Sequence, residues 1–471
     1  MAKILLINPP QIKDGKYIDG YQGVRPKLPP LGLAYIGGLL EKKGHQVKII
    51  CGMAEEITAT SIAEISKSFD LIGITSITFN YILSLSVTKE VKRLNPNIPV
   101  VLGGPHVNAI PEDVLSENCV DIVVFGEGEY TMLEIADSLP LDNKKLLPIK
   151  GIAYKINGQA HINPERELIN DLDSLPFPAR HLLPMKNYAS SGVRGTVHPT
   201  YSIMSSRGCP SKCSFCISEK RRILRVHSAE YVVAEIKELI SKYNARGISF
   251  WDDGFTFKKK RVFEICERIQ KENIKIIWDC ESKVDTVNSE MLNAMKKAGC
   301  FSISYGIESG SERILKQIGK KITHEKIIRG VKLAKQSGLE VRGYFMFGFP
   351  GETEKEMKET ILLSKKLPLD FATYSLLIPL PGTEDYQNCK KSGHFNDYYW
   401  KKQVLSEISF PLKPLVYVPE NISEDRLLEL HREANREFYL RPKIFVKRFF
   451  SVKDLHGIKE LIKGFKTVVS N

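Results

Sequence analysis

Cys209, Cys213 and Cys216 fall within eight residues, in the run Cys-Pro-Ser-Lys-Cys-Ser-Phe-Cys. Thiolates bind soft metals and do redox chemistry, so this C-x3-C-x2-C spacing, in a chain with nine cysteines, asks for a metal or redox reason. Structural zinc closes its shell with four ligands, usually as two separated pairs, and no second C-x2-C or H-x3-H pair exists. A redox pair would use Cys213 and Cys216 but leave Cys209 without a task. Coincidence is the bland alternative. Three thiolates can instead hold three corners of a cubane iron–sulfur cluster, which normally takes four cysteines, leaving one iron open to a substrate or cofactor.

The elements that must position this run alternate in type. From Tyr201 on, β-branched and aromatic runs occur at Tyr201–Ser205, Ile248–Trp251, Ile274–Trp278, Phe301–Tyr305, Val341–Phe347 and Phe371–Ile378. Amphipathic stretches such as Ala229–Tyr243 and Lys258–Lys271 lie between them. That order predicts a parallel sheet with crossover helices, whose ligands gather at the strands' carboxyl ends. Cys209 follows the first strand. Asp252 and Asp253, with Gly254, follow the second, where carboxylates could contact an ammonium or cap the next helix. Asp279-Cys-Glu-Ser282 ends the third. Glu308, in Gly306-Ile-Glu-Ser-Gly310, could accept hydrogen bonds from hydroxyls or an ammonium, or be an ordinary turn glutamate. Gly348 and Gly382 punctuate the last two exits.

The N-terminal third repeats the pattern, with strands at Ile4–Ile7, Val47–Ile50, Leu71–Ile74, Val100–Leu102 and Ile122–Phe125 and helices near Leu33–Lys43, Ile57–Ser68 and Ser84–Leu94. This predicts a doubly wound α/β domain with a ligand crevice beyond the strand ends. Those ends carry Thr75-Ser76, Gly103-Gly104-Pro105-His106 and Gly126-Glu127-Gly128-Glu129.

With Phe215 just before its last cysteine, the cysteine run resembles the cluster loop of radical S-adenosylmethionine (SAM) enzymes. The resemblance implies a 4Fe-4S cluster on Cys209, Cys213 and Cys216, whose open iron chelates SAM, and reductive cleavage to a 5′-deoxyadenosyl radical. It also implies an open, partial (β/α)6 barrel with SAM contacts from Phe215, Asp252, Asp253, Gly254, Glu308 and Gly348. The N-terminal exits, together with Leu28-Pro-Pro-Leu-Gly-Leu-Ala-Tyr-Ile-Gly-Gly-Leu-Leu, resemble the cobalamin-binding domain that precedes the barrel in one large subgroup. Cobalamin contacts are then implied for Thr75, Ser76, Gly103, Gly104, Pro105, His106, Gly126 and Glu127. One departure stands out. Where relatives with a cobalt-bound histidine carry Asp-x-His-x-x-Gly, this loop reads Gln11 to Gly20 without histidine, so no axial histidine is expected from it, and His106, after the fourth strand, reads as an ordinary hydrogen-bonding turn histidine rather than as a cobalt ligand. The implied activity is C-methylation by a cobalamin-dependent radical SAM enzyme, with radical cyclisation, as in the anaerobic magnesium-protoporphyrin ester cyclase, as the alternative. A non-catalytic cobalamin or metal sensor is the reading from another class.

The 471 residues give room for two or three domains, expected at 1–150 (cobalamin), 151–199 (a proline-bearing linker), 200–384 (barrel) and 385–471 (a mainly helical C-terminal region that helps close the barrel mouth). No window approaches a membrane span, no signal peptide opens the chain, and the other six cysteines are scattered, as expected of a cytoplasmic protein. The net charge of +13 is concentrated near the end, where residues 441–471 hold eight Lys/Arg against two Asp/Glu. That tail predicts either a helical cap or peripheral membrane contact, and nucleic acid is not an expected partner. The expected partners are a small-molecule or lipid-like substrate and an external electron donor such as flavodoxin or ferredoxin.

Overall fold

A computed structural model describes residues 1–10, 12–13, 16–17, 28–188, 197–217, 222–393, 395, 397–402, 415–442 and 444. The basic tail lies outside the described residues apart from three of its first four, as does most of the loop from Gln11 to Gly20. Among the described residues, no helix is long and apolar enough to cross a membrane.

The first sheet is built from β1 (Lys3–Asn8), β2 (Gln46–Cys51), β3 (Leu71–Thr75), β4 (Val100–Gly103), β5 (Ile122–Val124), β6 (Ile152–Ile156) and β7 (Gln159–Ile162). Their spatial order is β2-β1-β3-β4-β5-β6-β7, and the first five are parallel. Strands such as Lys-Ile-Leu-Leu-Ile-Asn are apolar on both faces because helices cover both sides of the sheet. The helix Leu31–Lys42 packs one face of this layer, burying Leu33, Ala34, Leu39 and Leu40.

The antiparallel hairpin β6–β7 extends the sheet into the stretch expected to be linker. Its signal was present: Asn157-Gly158, both with positive φ, is a two-residue turn between alternating runs. The mostly exposed edge strand Gln159–Ile162 gave too little apolar pattern to reveal it. Beyond the hairpin the chain packs on both domains. Ala179 N–H donates to Ala34 O at 2.9 Å, and the buried Arg180 guanidinium donates to Ser202 O at 2.9 Å and Glu235 Oε1 at 2.6 Å.

The second sheet is a ladder of six parallel strands in sequential order: β8 (Thr200–Ile203), β9 (Gly247–Phe250), β10 (Ile277–Ser282), β11 (Cys300–Glu308), β12 (Glu340–Phe347) and β13 (Phe371–Leu376). The first and last do not pair, so the barrel is open. Register places Ile203, Phe250, Cys280, Ile303 and Val341 side by side in the apolar layer under the helices. The neighbouring row, Ser202, Ser249, Asp279 and Ser302, is polar and faces the opposite side. This polar row displaced the sequence expectation for the third strand, which runs Ile277–Ser282 rather than Ile274–Trp278. Hydrophobic periodicity cannot register a strand whose interior face carries Asp279 and Glu281.

The C-terminal helix Glu424–Tyr439 lies along the outside of β13, where Tyr439 OH donates to Ala372 O at 2.6 Å and Phe438 packs on Tyr374. At the rim its Leu427 stands beside Gly348. The expectation that the C-terminal region helps close the mouth falls largely on residues 403–414 and 445–471, which lie outside the described residues. Trp400 packs against His106 of the first domain, and Lys401 pairs with Asp113 at 2.8 Å.

Candidate cluster site and cofactor cavity

The three cysteines stand on the loop that follows β8, all partly exposed and unbridged. Among the described residues, no three His, Cys, Asp or Glu side chains converge as ligands of one metal ion. Separated thiols suit a cubane, in which each thiolate takes its own iron, and the chemistry of three soft sulfur donors fits iron. Burial pushes the Cys213 thiol up to about 11 against the pull of the Lys320 ammonium, so ionisation there goes with metal binding.

The loop is braced from beneath by the turn Ile318-Gly319-Lys320. Ser214 N–H donates to Ile318 O at 3.1 Å. At Gly319, with φ +69°, a Cβ would stand 2.1 Å from Lys212 O, so only glycine permits the approach. Lys320 Nζ donates to Glu308 Oε1 at 2.8 Å, and both side chains are buried. Phe215 packs on Phe349, with ring centroids 5.7 Å apart.

The residues expected to contact SAM divide. Asp252 is buried, and its Oδ1 accepts from Ser205 N–H at 2.7 Å and Ser206 N–H at 2.8 Å. It holds the exit of β8 just ahead of the cysteines and is occupied as a brace, whereas Asp253 beside it is exposed. Gly254 is buried against Phe257. Glu308 has φ +70°, a strained conformation for a residue with a Cβ, and is committed to Lys320. At Gly306 a Cβ would lie 2.4 Å from Glu308 Oε1. Gly348, with φ +88°, donates its N–H to Glu352 Oε2 at 2.8 Å. Glu352 was missed as part of this set; burial pushes its carboxyl up to about 8. Lys320 was missed too, because nothing local marks a lysine that becomes buried beside thiols.

A cavity of about 420 Å³ opens at the carboxyl ends of the first sheet. Six of the eight residues expected there line it: Thr75, Gly103, Gly104, Pro105, Gly126 and Glu127. Leu6, Leu33 and Met132 give it an apolar floor between sheet and helix, and Gly32 and Gly73 keep that space clear of side chains. An apolar slot of this size with a glycine-rich rim fits a flat aromatic ring at the end of a longer tail that backbone can approach. Ser76 is buried with its hydroxyl unpartnered but does not line the cavity. Met204 and Arg207, both in the segment that follows β8, complete the wall, so the cavity meets the barrel mouth.

His106, the other residue expected there, stands apart from the cavity lining. The helix after β4 turns it away from the cavity, to lie fully buried with its centroid 4.3 Å from the Tyr81 ring and 5.8 Å from Trp400. Its Nδ1 is 3.1 Å from Thr78 Oγ1. Burial, then the nearby Lys401 ammonium, pushes its pKa down to about 3. Because the unfolded chain takes up this proton near the ordinary value and the folded chain does not, stability falls as pH drops from there toward 3, by up to about 1.4 kcal/mol per pH unit. Melting temperatures at pH 7 and pH 5 are expected to differ less in His106→Gln than in the wild type; equal differences would contradict the assignment.

Glu127 lines the cavity, yet its carboxylate is turned to Arg207 and Arg225. Burial opposes its charge, but the Arg225 hydrogen bond, the Ile169 N–H and Arg207 together hold the carboxyl below its usual range.

Comparison with known proteins agrees with this geometry. The radical SAM superfamily matches residues 203–363, and the B12 binding domain matches residues 23–136. An uncharacterised methyltransferase of Pyrococcus horikoshii is 40% identical over 475 residues, covering 99% of each chain. The chain belongs to the cobalamin-dependent radical SAM methyltransferase family. Another relative, the anaerobic magnesium-protoporphyrin IX monomethyl ester cyclase of Rubrivivax gelatinosus, is 28% identical, with 100% of this chain and 82% of the cyclase covered. Among solved structures, the radical SAM methyltransferase TsrM of Kitasatospora setae, with cobalamin and a [4Fe-4S] cluster bound, has a TM-score of 0.67 at 18% identity, over 83% of this chain and 75% of that one. The cobalamin-dependent radical enzyme OxsB has a TM-score of 0.68 at 19% identity, over 99% and 71%. At these identities the likeness shows the fold, which in this family joins a B12-binding domain to a radical SAM barrel. As a family member the chain is an enzyme whose cofactors are a 4Fe-4S cluster, SAM and cobalamin.

Proposed function

We propose that this enzyme methylates a carbon atom of a small substrate held in the barrel mouth. The cluster and SAM supply the radical that removes hydrogen, and cobalamin supplies the methyl group. The observation that carries this reading is the cavity wall shared by Thr75 and Gly104 of the first domain and Met204 and Arg207 of the second. It lets one cofactor reach the substrate of the other.

In this reading Cys209, Cys213 and Cys216 hold the cluster, and Phe215, Asp253, Gly254, Glu308 and Gly348 surround SAM, with Asp252 acting through the loop it braces. Thr75, Gly103, Gly104, Pro105 and Gly126 surround cobalamin. The first domain then ends with the hairpin at Ile162, the linker runs to 199, the barrel to 384 and the helical region to 471. An external one-electron donor and a cytoplasmic setting complete the proposal; nucleic acid has no part in it. The cyclase's match along the whole chain favours radical ring closure as the second reading.

The test is loading with cob(I)alamin and SAM bearing a deuterated methyl group under strict anaerobiosis. Labelled methylcobalamin retained on the protein is the expected result. Its absence, in protein that binds cobalamin and cleaves SAM, would favour ring closure.

A further inference from the structure

The cluster loop leaves and rejoins the barrel through a two-stranded ribbon, in which Ser206–Arg207 pairs antiparallel with Arg225–Val226. Arg207 therefore stands two residues before Cys209, and Arg225 closes the far end of the same loop. Both guanidinium groups turn toward the first domain and meet a single carboxylate. Arg207 Nη1 donates to Glu127 Oε1 at 3.0 Å, and Arg225 Nη1 donates to Glu127 Oε2 at 2.7 Å. The second arm of Arg207 reaches Glu129 Oε1 at 2.6 Å. Ile169 adds its N–H to Glu127 Oε2 at 2.7 Å and its carbonyl to Arg225 at 2.8 Å.

These groups are out of water: the side chains of Glu127, Arg225 and Arg207 are 2%, 4% and 9% exposed. Removing one charge from such a cluster leaves another buried without compensation, so the arrangement resists independent movement of its parts. It also touches the cavity. Arg207 lies over the Tyr35 ring, 5.1 Å from its centroid, and both residues line the cavity. Gly126 N–H, in the turn that carries Glu127, donates to Asn108 Oδ1 at 2.6 Å, and Asn108 lines the cavity too.

We propose that Glu127 and Arg207 are positioning residues of a latch that ties both ends of the cluster loop to the cobalamin cavity, so that filling the cavity alters the cluster's surroundings. The latch rests on the reading of that cavity as the cobalamin site. Neither residue needs to touch a reacting atom. Their effect is on where the three cysteines stand relative to the first domain, and each end of the loop is held by the same carboxylate. A ligand that moves Arg207 or Tyr35 therefore moves the foot of the cluster loop.

The experiment uses full-length protein reconstituted with iron and sulfide. The electron paramagnetic resonance spectrum of the reduced cluster with SAM is recorded with and without hydroxocobalamin, in the wild type, Arg207→Gln and Arg207→Lys. The expected result is a cobalamin-dependent spectral shift in the wild type, its loss in Arg207→Gln at unchanged iron content, and its partial return in Arg207→Lys. The latch is wrong if the wild type binds cobalamin stoichiometrically without a shift, or if Arg207→Gln keeps the whole shift. Wild type that binds no cobalamin overturns the cavity reading, and the latch with it, and binding distinguishes this from the other failures. Should Arg207→Gln not fold, Glu129→Gln releases only one of the two ion pairs of Arg207; a diminished shift there supports the latch, and an undiminished one overturns it.

Discussion

Replacing Cys213 with alanine is expected to abolish the iron–sulfur site and lower reductive SAM cleavage by about a thousandfold or more, equivalent to at least ~4 kcal/mol in barrier. Each of the three thiols is expected to hold one corner, and among the described residues no three His, Cys, Asp or Glu side chains form a single-ion site that could replace them. A cluster left with two protein ligands has lost the geometry that leaves one iron, and one only, for SAM. Iron and sulfide analysis after anaerobic reconstitution, with chromatographic measurement of 5′-deoxyadenosine, checks the outcome. Cys119→Ser is the control, because Cys119 belongs to the first domain, in the segment between the helix Pro111–Leu115 and β5, and is expected to leave both readings intact. Full cluster content in Cys213→Ala would return the cysteine run to the zinc, redox or coincidental explanations.

Gly32→Phe is expected to lower cobalamin retention at least tenfold, about 1.4 kcal/mol of binding free energy, while leaving the cluster and SAM cleavage in place. Gly32 is the second residue of the helix Leu31–Lys42 and lines the cavity, with no atom within 4 Å of where its Cβ would stand. Open space at the Cβ leaves room for a larger side chain at the cavity's edge, where an aromatic ring is expected to compete with a ligand. Glycine is among the poorest helix formers, so the substitution is not expected to weaken the helix. Cobalamin per chain after gel filtration, beside a melting curve, separates blocked binding from unfolding. Unchanged retention in a folded variant would move the cobalamin site elsewhere.

What was legible in the sequence was local. The cysteine spacing, the strand exits with their glycines, and the alternation of strand and helix each depend on residues within about one element, so pattern alone revealed a parallel sheet with crossover helices and a doubly wound domain, while the partial barrel and the cavity residues came from the family those motifs resemble. The third barrel strand escaped for the same reason, since the polar interior row that includes Asp279 is compatible with a strand only when its neighbours Ser249 and Ser302 are known.

The roles of buried polar groups were not legible, because their partners are distant in the chain. Asp252 reads like a ligand carboxylate until Ser205, 47 residues away, takes it up. Glu127 reads like a cavity contact until Arg207 and Arg225, 80 and 98 residues away, turn it into a bridge between domains. His106 reads like a turn histidine, hydrogen-bonded or solvated, until the tertiary packing encloses it between Tyr81 and Trp400. A carboxylate or imidazole has the same chemistry in solution as in a site; which role it serves depends on what remains to pair with it once water has been excluded. By itself the sequence determined the strand–helix alternation and the motifs that carry the family resemblance, and with it the expected cofactors, because motif spacing is a property of neighbouring residues. Only the tertiary structure decided which polar side chains line the cavity and which are consumed in holding the two domains together, because that choice is made by residues that meet when the chain folds.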